Sequence, residues 1–378
     1  NPNRGGIPAP VGVFFGGKGG CCVDSAAHRR SLGASRGAVM ASKVFVTGAS
    51  GFIAKHIILQ LLLAGHNVVG SVRSMAKADE VRAAVAPHLP DDIDLEFALQ
   101  FHELDLTSDE GWVEALSGCA ALMHTASPFP MAQPETDEEL TRPAVEGTLR
   151  ALYAAHAVGI KRVVLTSSAV AVMQANQPKN RTFDETDWSD PDHPTNSAYG
   201  RSKLQAERAA WDMVAEHGIN LTTINPVLVL GPPLDGNFGT SVAIVERLMS
   251  GKDPMLPKIG FPIVDVRDVA AAHVASLNNR ETYGMRILAN AGFLWFHQMA
   301  ETLKEAHPDR KITTRIAPNF AIKLMARFDP QIRAVLPLLD VMPSVSNRRA
   351  RRVLGLDFTP PRDAVRATAA YLVNTETA

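Results

Sequence analysis

The sequence predicts an α/β fold: a doubly wound parallel sheet followed by a smaller C-terminal lobe. Three observations carry this. From Lys43 onward, short β-rich runs alternate with helical periods, a layout that requires a parallel sheet with right-handed crossovers. The first run ends in a glycine-rich turn that opens a helix. Beyond Asn225-Pro226 the alternation loosens, and Pro226, Pro232, Pro233, Pro254, Pro257 and Pro262 mark a different layout.

The elements follow in order. Val44–Val46 reads as a strand, and Gly51–Ala64 as a helix with Ile53, Ile57, Ile58, Leu61 and Leu62 on one side. Asn67–Val72 is a strand and Met75–Val85 a helix. Leu99–Leu104 is a strand, and Thr107-Ser-Asp-Glu110 has capping-box spacing for a helix running to Leu116. Ala120–His124, Arg162–Thr166 and Leu221–Ile224 are strands; Glu138–His156 and Ser197–Glu216 are long helices. Residues 43–225 are expected to form the nucleotide-type domain. Residues 226–378 are expected to be mainly a substrate-binding lobe, with about 264–290 returning to the first sheet.

The chain has 378 residues, 46% apolar and 20% charged, with a net charge of −1. A body of this size buries a sufficient core without disulfides or metals. The balanced charge argues against a nucleic-acid or anionic-membrane partner. Cys21, Cys22 and Cys119 form no disulfide framework, and the 12 His show no metal-ligand spacing, so no metal site is expected. The longest apolar stretch, His56–Val69, is broken by Gln60, Gly65, His66 and Asn67 and is too short to span a bilayer. A cytoplasmic protein, monomeric or homodimeric, is expected. Residues 1–42 carry nine Gly and a net charge of +4 without apolar periodicity. They are expected to be a disordered tail, either sequence translated upstream of Met40 or an organellar targeting peptide.

Thr47-Gly48-Ala-Ser-Gly51-Phe-Ile-Ala54 links an apolar strand to an amphipathic helix. Gly48 permits a tight turn, Gly51 lets backbone approach a pyrophosphate, and Ala54 allows close helix–strand packing, so a dinucleotide is expected here. After the second strand, an NAD site wants an acidic residue for the ribose 2′-hydroxyl. This chain has Arg73, which would clamp a 2′-phosphate, so the expected cofactor is NADPH/NADP+. Asp105-Leu106 could hold the adenine edge, and Asp105 could equally be a loop acid.

Tyr199-Gly-Arg-Ser-Lys203 places Tyr and Lys on one helix face. A free Tyr titrates at about 10, and an ammonium beside it, together with an oxidised nicotinamide, favours the tyrosinate and lowers that value. Thr166-Ser167-Ser168 ends a strand at the carboxyl edge of the sheet, where Ser168 could hydrogen-bond a substrate carbonyl oxygen. A small carbonyl compound is therefore the expected substrate, with Ser168, Tyr199 and Lys203 catalytic. Pro128, Phe129, Met131, Val170, Met173, Phe238 and Phe261 could line an apolar pocket or be ordinary core. His193, in a Pro-rich loop, reads as a surface residue before a substrate contact. Cys119 reads as packing, and Arg348–Arg352 as a solvated helix face.

The chain resembles the extended short-chain dehydrogenase/reductase family, and within it the dihydroflavonol-reductase-like branch of aldehyde/ketone reductases and cinnamoyl-CoA reductases. TGASGFIA at 47–54, VRS at 72–74, HTASP at 124–128 and PAVEGT at 143–148 carry the resemblance, with TSSA at 166–169, YGRSK at 199–203, NPVLVLGP at 225–232 and VDVRDVAAAH at 264–273. It implies a Ser168–Tyr199–Lys203 triad, with Ser168 preferred to Ser167 because it precedes Ala169. It implies that Gly48, Ser50, Gly51, Phe52 and Ile53 cradle the pyrophosphate, that Arg73 and Lys77 bind the 2′-phosphate, and that Thr125, Ala126 and Ser127 border the cofactor. Pro226, Val227 and Val229 would line the nicotinamide, which Tyr199 and Lys203 also face. The Asn-Trp-Tyr-Cys-Tyr signature of cinnamoyl-CoA reductases is replaced by His193-Pro-Thr-Asn-Ser-Ala-Tyr199, which disfavours a CoA thioester. Lys55 and His56 receive no role. The expected function is NADPH-dependent reduction of an apolar aldehyde or ketone. The alternatives are an NAD-dependent sugar-nucleotide epimerase or dehydratase, 3β-hydroxysteroid oxidation, and a non-catalytic NADP sensor.

Overall fold

The computed structural model describes residues 42–128, 136–175 and 181–376. The proposed tail therefore lies almost wholly outside the described residues, as do Phe129 and Met131.

Val44, Phe45 and Val46 are each fully buried in β1 (Lys43–Val46), because helices cover both faces of the sheet. Strand alternation sends Val44 and Val46 into one core and Phe45 into the other. A glycine-rich turn leads from β1 into α1 (Phe52–Leu63), then β2 (Asn67–Val72), α2 (Ala76–Val85) and β3 (Leu99–Glu103). The short α3 (Trp112–Leu116) precedes β4 (Ala121–His124). Next come α4 (Glu138–Ala157), β5 (Arg162–Thr166), α5 (Ala198–His217) and β6 (Asn220–Pro226).

Capping-box spacing at Thr107 does not start a helix. The Asp105 carboxylate accepts hydrogen bonds from Thr107 N and Oγ1, both at 2.7 Å, closing a local turn instead. Gly111, left-handed at φ 77°, then redirects the chain so that α3 begins at Trp112.

Past β6 the chain leaves and returns. β7 (Leu228–Leu230), α6 (Gly239–Met249) and β8 (Gly260–Asp265) are followed by α7 (Val266–Leu277) and β9 (Met285–Ala289). β10 (Gly292–Trp295), α8 (Phe296–Ala306), α9 (Arg348–Leu354) and α10 (Pro361–Glu376) complete the labelled elements. The main sheet has seven parallel strands in the order β3-β2-β1-β4-β5-β6-β9. The return near residues 264–290 is thus made by α7, which packs against α1, and by β9 as an edge strand. A second sheet, β10-β8-β7, carries its own core of Leu230, Val245, Ile263, Met299, Leu303 and Val365 beneath α6, α8 and α10.

Strand order reverses between β1 and β4, which opens a crevice at their carboxyl ends. The expected packing role of Cys119 agrees with its burial, which pushes the thiol pKa up. In α9, Ala350 is buried while Arg348, Arg351 and Arg352 are exposed. Among the described residues no helix is long and apolar enough to cross a membrane, and no group of three or more His, Cys, Asp or Glu could hold a metal ion.

Candidate active site

The turn after β1 is shaped by what cannot fit there. Gly48 sits at φ +63°, and a Cβ on it would lie 3.0 Å from Ala126 Cα. Gly51 N–H donates to Gly48 O at 2.9 Å, and Gly48 N–H to Ser71 Oγ at 3.0 Å, which fixes the turn against β2. No side chain caps α1, so its first-turn N–H groups face outward with a positive dipole end. This cradle, free of Cβ atoms where backbone must come close, fits an anionic pyrophosphate. Phe52 and Ile53 pack partly into the core, and Ser50 O accepts a hydrogen bond from Asn237 Nδ2 at 3.0 Å.

The segment after β4 is stitched to this turn through Thr47. Its hydroxyl oxygen accepts from Thr125 N and Ala126 N, each at 3.0 Å. Its own hydrogen then goes to His124 Nδ1, 2.9 Å away, which leaves the imidazole proton on Nε2. That Nε2 is buried without a partner among the described residues. Burial, and secondarily the Lys203 charge, push the His124 pKa down to about 3, so the ring is neutral. Ser127 and Pro128 follow, both half-buried.

At the end of β2, Arg73 is exposed and forms no ion pair among the described residues, which leaves its guanidinium available to an anion. Lys77 is exposed but pairs with Glu80 at 2.8 Å. Asp105 is committed to its turn, and the Thr107 hydrogen bonds, aided by the Arg73 charge, hold its carboxyl below the usual range. This favours the loop-acid reading of Asp105. Leu106 packs against Gly147, where a Cβ would lie 3.1 Å from Leu106 Cδ2. Pro226 ends β6, Val227 N donates to Ala289 O at 3.2 Å, and Val229 is buried in β7, so these three bridge the two sheets.

Ser168, Tyr199 and Lys203 converge at the carboxyl edge of β5. Ser197 caps α5, its Oγ accepting from Gly200 N at 3.2 Å. Gly200 leaves room for the Asn196 side chain: a Cβ there would fall 2.1 Å from Asn196 Oδ1, which would have to turn away. One turn apart on α5, Tyr199 hydrogen-bonds Ser168, and Lys203 Nζ lies 5.8 Å from the Tyr199 ring centroid. Burial pushes the Tyr199 phenol up, and the Ser168 hydrogen bond only partly opposes it. The expected lowering concerns Lys203 acting together with an oxidised nicotinamide; in the protein by itself, burial is the largest influence on the phenol. The same desolvation pushes Lys203 down to about 8, with Glu207 opposing.

Among the expected pocket residues, Val170 lies beside the triad, its N–H donating to Ser168 Oγ at 3.4 Å. Phe238 instead packs edge-on to Tyr371 of α10, centroids 6.3 Å apart. His193, half-buried, bonds Thr195 within its own loop, Nδ1 to Oγ1 2.8 Å. Lys55 and His56, given no role from the sequence, are both buried. Lys55 is ion-paired with Asp235, and His56 Nε2 bonds Pro232 O at 3.0 Å. Only partners from far along the chain reveal them. Glu207, one turn beyond Lys203, was likewise invisible in the sequence; its partners come from just after β5, from β6 and from β9.

Comparison with known proteins agrees with the fold. Residues 44–288 match the NAD dependent epimerase/dehydratase family. The chain is 31% identical over 334 residues to cinnamoyl-CoA reductase CAD2 of Medicago truncatula, covering 87% of this chain and 95% of that one. It is 30% identical over 354 residues to the NADPH-dependent methylglyoxal reductase GRE2 of Saccharomyces cerevisiae, covering 88% and 98%. The crystal structure of yeast methylglyoxal/isovaleraldehyde reductase Gre2 complexed with NADPH superposes with a TM-score of 0.74 at 27% identity, covering 89% of this chain and 99% of that one. With its seven-stranded sheet, glycine-rich turn and these relatives, the chain belongs to the NAD dependent epimerase/dehydratase family, the extended short-chain dehydrogenases/reductases.

Proposed function

We propose that this protein is an NADPH-dependent oxidoreductase that reduces a small apolar aldehyde or ketone to the alcohol. The observation that carries the reading is the convergence of Ser168, Tyr199 and Lys203 at the sheet edge beside an uncapped glycine-rich turn. Yeast Gre2, a relative named as NADPH-dependent and crystallised with NADPH, and Arg73 standing where a 2′-phosphate would be met, support the cofactor.

Bound NADPH supplies the hydride. Gly48, Ser50, Gly51, Phe52 and Ile53 would hold its pyrophosphate, and Arg73, with Lys77, its 2′-phosphate. Thr125, Ala126, Ser127, Pro226, Val227 and Val229 would flank the remainder. Ser168 holds the substrate carbonyl oxygen through its hydroxyl, and Tyr199 delivers the proton to that oxygen. The Lys203 ammonium stabilises the tyrosinate left behind. Residues 43–225 act as the cofactor domain, and the segments after Pro226 shape the substrate pocket, with Pro128 and Val170 at its triad end. Missing the cinnamoyl-CoA reductase signature before Tyr199, the pocket favours a free carbonyl over a CoA thioester.

The test is NADPH oxidation against aromatic and aliphatic aldehydes, α-dicarbonyls, ketoesters and dihydroflavonols, with NADH in parallel. Turnover should require NADPH, and Tyr199→Phe should lower kcat by about 10²–10⁴-fold while NADPH binding persists. Unchanged turnover in Tyr199→Phe would remove the assignment. Tightly held NAD with activity on nucleotide sugars would replace it by the epimerase reading.

A further inference from the structure

Glu207 lies on α5 one turn beyond Lys203, with its side chain fully buried. Its carboxylate accepts hydrogen bonds from β6, β9 and the segment just after β5. Ser167 Oγ of the segment ending β5 donates to Oε2 at 2.6 Å, and Asn225 Nδ2 of β6 to the same oxygen at 2.7 Å. Thr223 Oγ1 of β6 donates to Oε1 at 3.0 Å, and Arg286 Nε of β9 to Oε1 at 2.7 Å. Trp211, on its own helix, adds Nε1 at 3.3 Å.

Two of these donors adjoin the catalytic edge directly. Ser167 precedes Ser168, and Asn225 Nδ2 also donates to the Ser168 carbonyl at 3.2 Å. A helix packed on a sheet by apolar contacts alone can slide by fractions of an ångström at little cost. A carboxylate gripped by four residues, from β6, β9 and the end of the β5 segment, cannot, because any shift breaks buried, charge-assisted bonds.

We propose that Glu207 is a positioning residue of the active site, locking α5 to the ends of β5 and β6 so that Tyr199 and Lys203 stay in register with Ser168. This rests on the reductase reading for its catalytic consequence but not for its geometry. The charged and titratable neighbours are Arg286 on β9 beside Glu207, and Tyr199 on α5 and His124 on β4 beside Lys203. Glu207 itself favours the charged Lys203.

The test uses Glu207→Gln and the milder Ser167→Ala, which leaves the Arg286 pair intact. The chain has four Tyr, so Tyr199 can be assigned in ¹³Cζ-labelled protein by comparison with Tyr199→Phe. In Glu207→Gln the Tyr199 resonance at neutral pH should move, because its hydrogen bond to Ser168 loosens. kcat should fall about tenfold or more, with NADPH affinity held within about twofold. Ser167→Ala should move both readouts the same way and less, and it decides the matter alone if Glu207→Gln does not fold. A folded variant with lower thermal stability but an unmoved Tyr199 resonance, and kcat preserved in the cold, overturns the proposal. If the wild-type protein reduces no carbonyl, the reductase reading fails, while the resonance and NADPH affinity still decide the role of Glu207.

Discussion

A single lysine sets the pH behaviour of the proposed chemistry. Lys203 must be charged to stabilise tyrosinate, and desolvation brings its pKa down to about 8. Activity should therefore fall as pH rises through about 8, and kcat/KM, which reports the free enzyme, is the quantity to follow. The stability sign is opposite to that of an ordinary paired lysine. Here the folded state holds its proton less tightly than the unfolded chain does. The cost of burying Lys203 charged is thus present below about 8, and it is relieved as pH rises from there toward the unfolded value near about 10.4. Arg73 governs a separate property. Arg73→Asp should weaken NADPH more than NADH, because it places a carboxylate against the 2′-phosphate. Isothermal titration with both nucleotides checks this, and equal losses would show that another residue discriminates.

Between elements, the least expected joint is the Lys55–Asp235 pair, which ties the helix after the glycine-rich turn to the loop following β7. Lys55 is 1% exposed and Asp235 24%. Lys55 Nζ also reaches Asn237 O at 3.2 Å, and Asn237 in turn bonds Ser50 O in the turn itself. Desolvation pushes the Lys55 pKa down while Asp235 opposes it, so the lysine depends on this partner for its charge. Removing a partner from a buried pair costs more than the pair is worth, because a charge is left stranded. Asp235→Asn should destabilise by about 2 kcal/mol, discounted for the partial exposure of Asp235. It should also weaken NADPH binding, since residues 235–237 support the turn from outside. Urea denaturation and nucleotide titration measure the two effects. An unchanged denaturation midpoint would show that water replaces the carboxylate without loss.

Across the described residues four histidines are buried and pushed down by burial, and three of them, His56, His124 and His273, shifted by the largest margin, make the fold acid-sensitive. Burial pushes His124 down to about 3, and His56 and His273 to about 4. Each is neutral and hydrogen-bonded in the core: His273 Nδ1 to Val269 O at 2.8 Å, with Thr166 Oγ1 2.7 Å from its Nε2. Between the unfolded pKa near about 6.5 and these folded values, the unfolded chain binds more protons, so stability is present above that window and is lost as pH falls through it. The slope approaches about 1.4 kcal/mol per pH unit for each histidine. Urea midpoints taken from pH 7 to pH 4.5 should decline steadily, and a flat profile would contradict neutral burial.

The sequence alone determined what depends on neighbours along the chain. The β1–turn–α1 unit, the YGRSK pair on one helix face and the alternation of strands and helices are local patterns, because period, glycine placement and i, i+4 spacing are set within a few residues. They suffice for the fold class and for the carboxyl edge where the site belongs. Tertiary structure decided what depends on partners far away. Thr107 looked like a cap until Asp105 took its N–H. Lys55 had no role until Asp235, 180 residues on, entered its environment. Glu207 was an unremarked helical acid until Ser167, Asn225 and Arg286 closed around it. The burial that pushes the Tyr199 phenol up was equally out of sight, because the sequence shows a neighbouring ammonium but not the packing around the ring. Burial and long-range pairing follow from how the chain closes on itself, and no short window of residues carries that information.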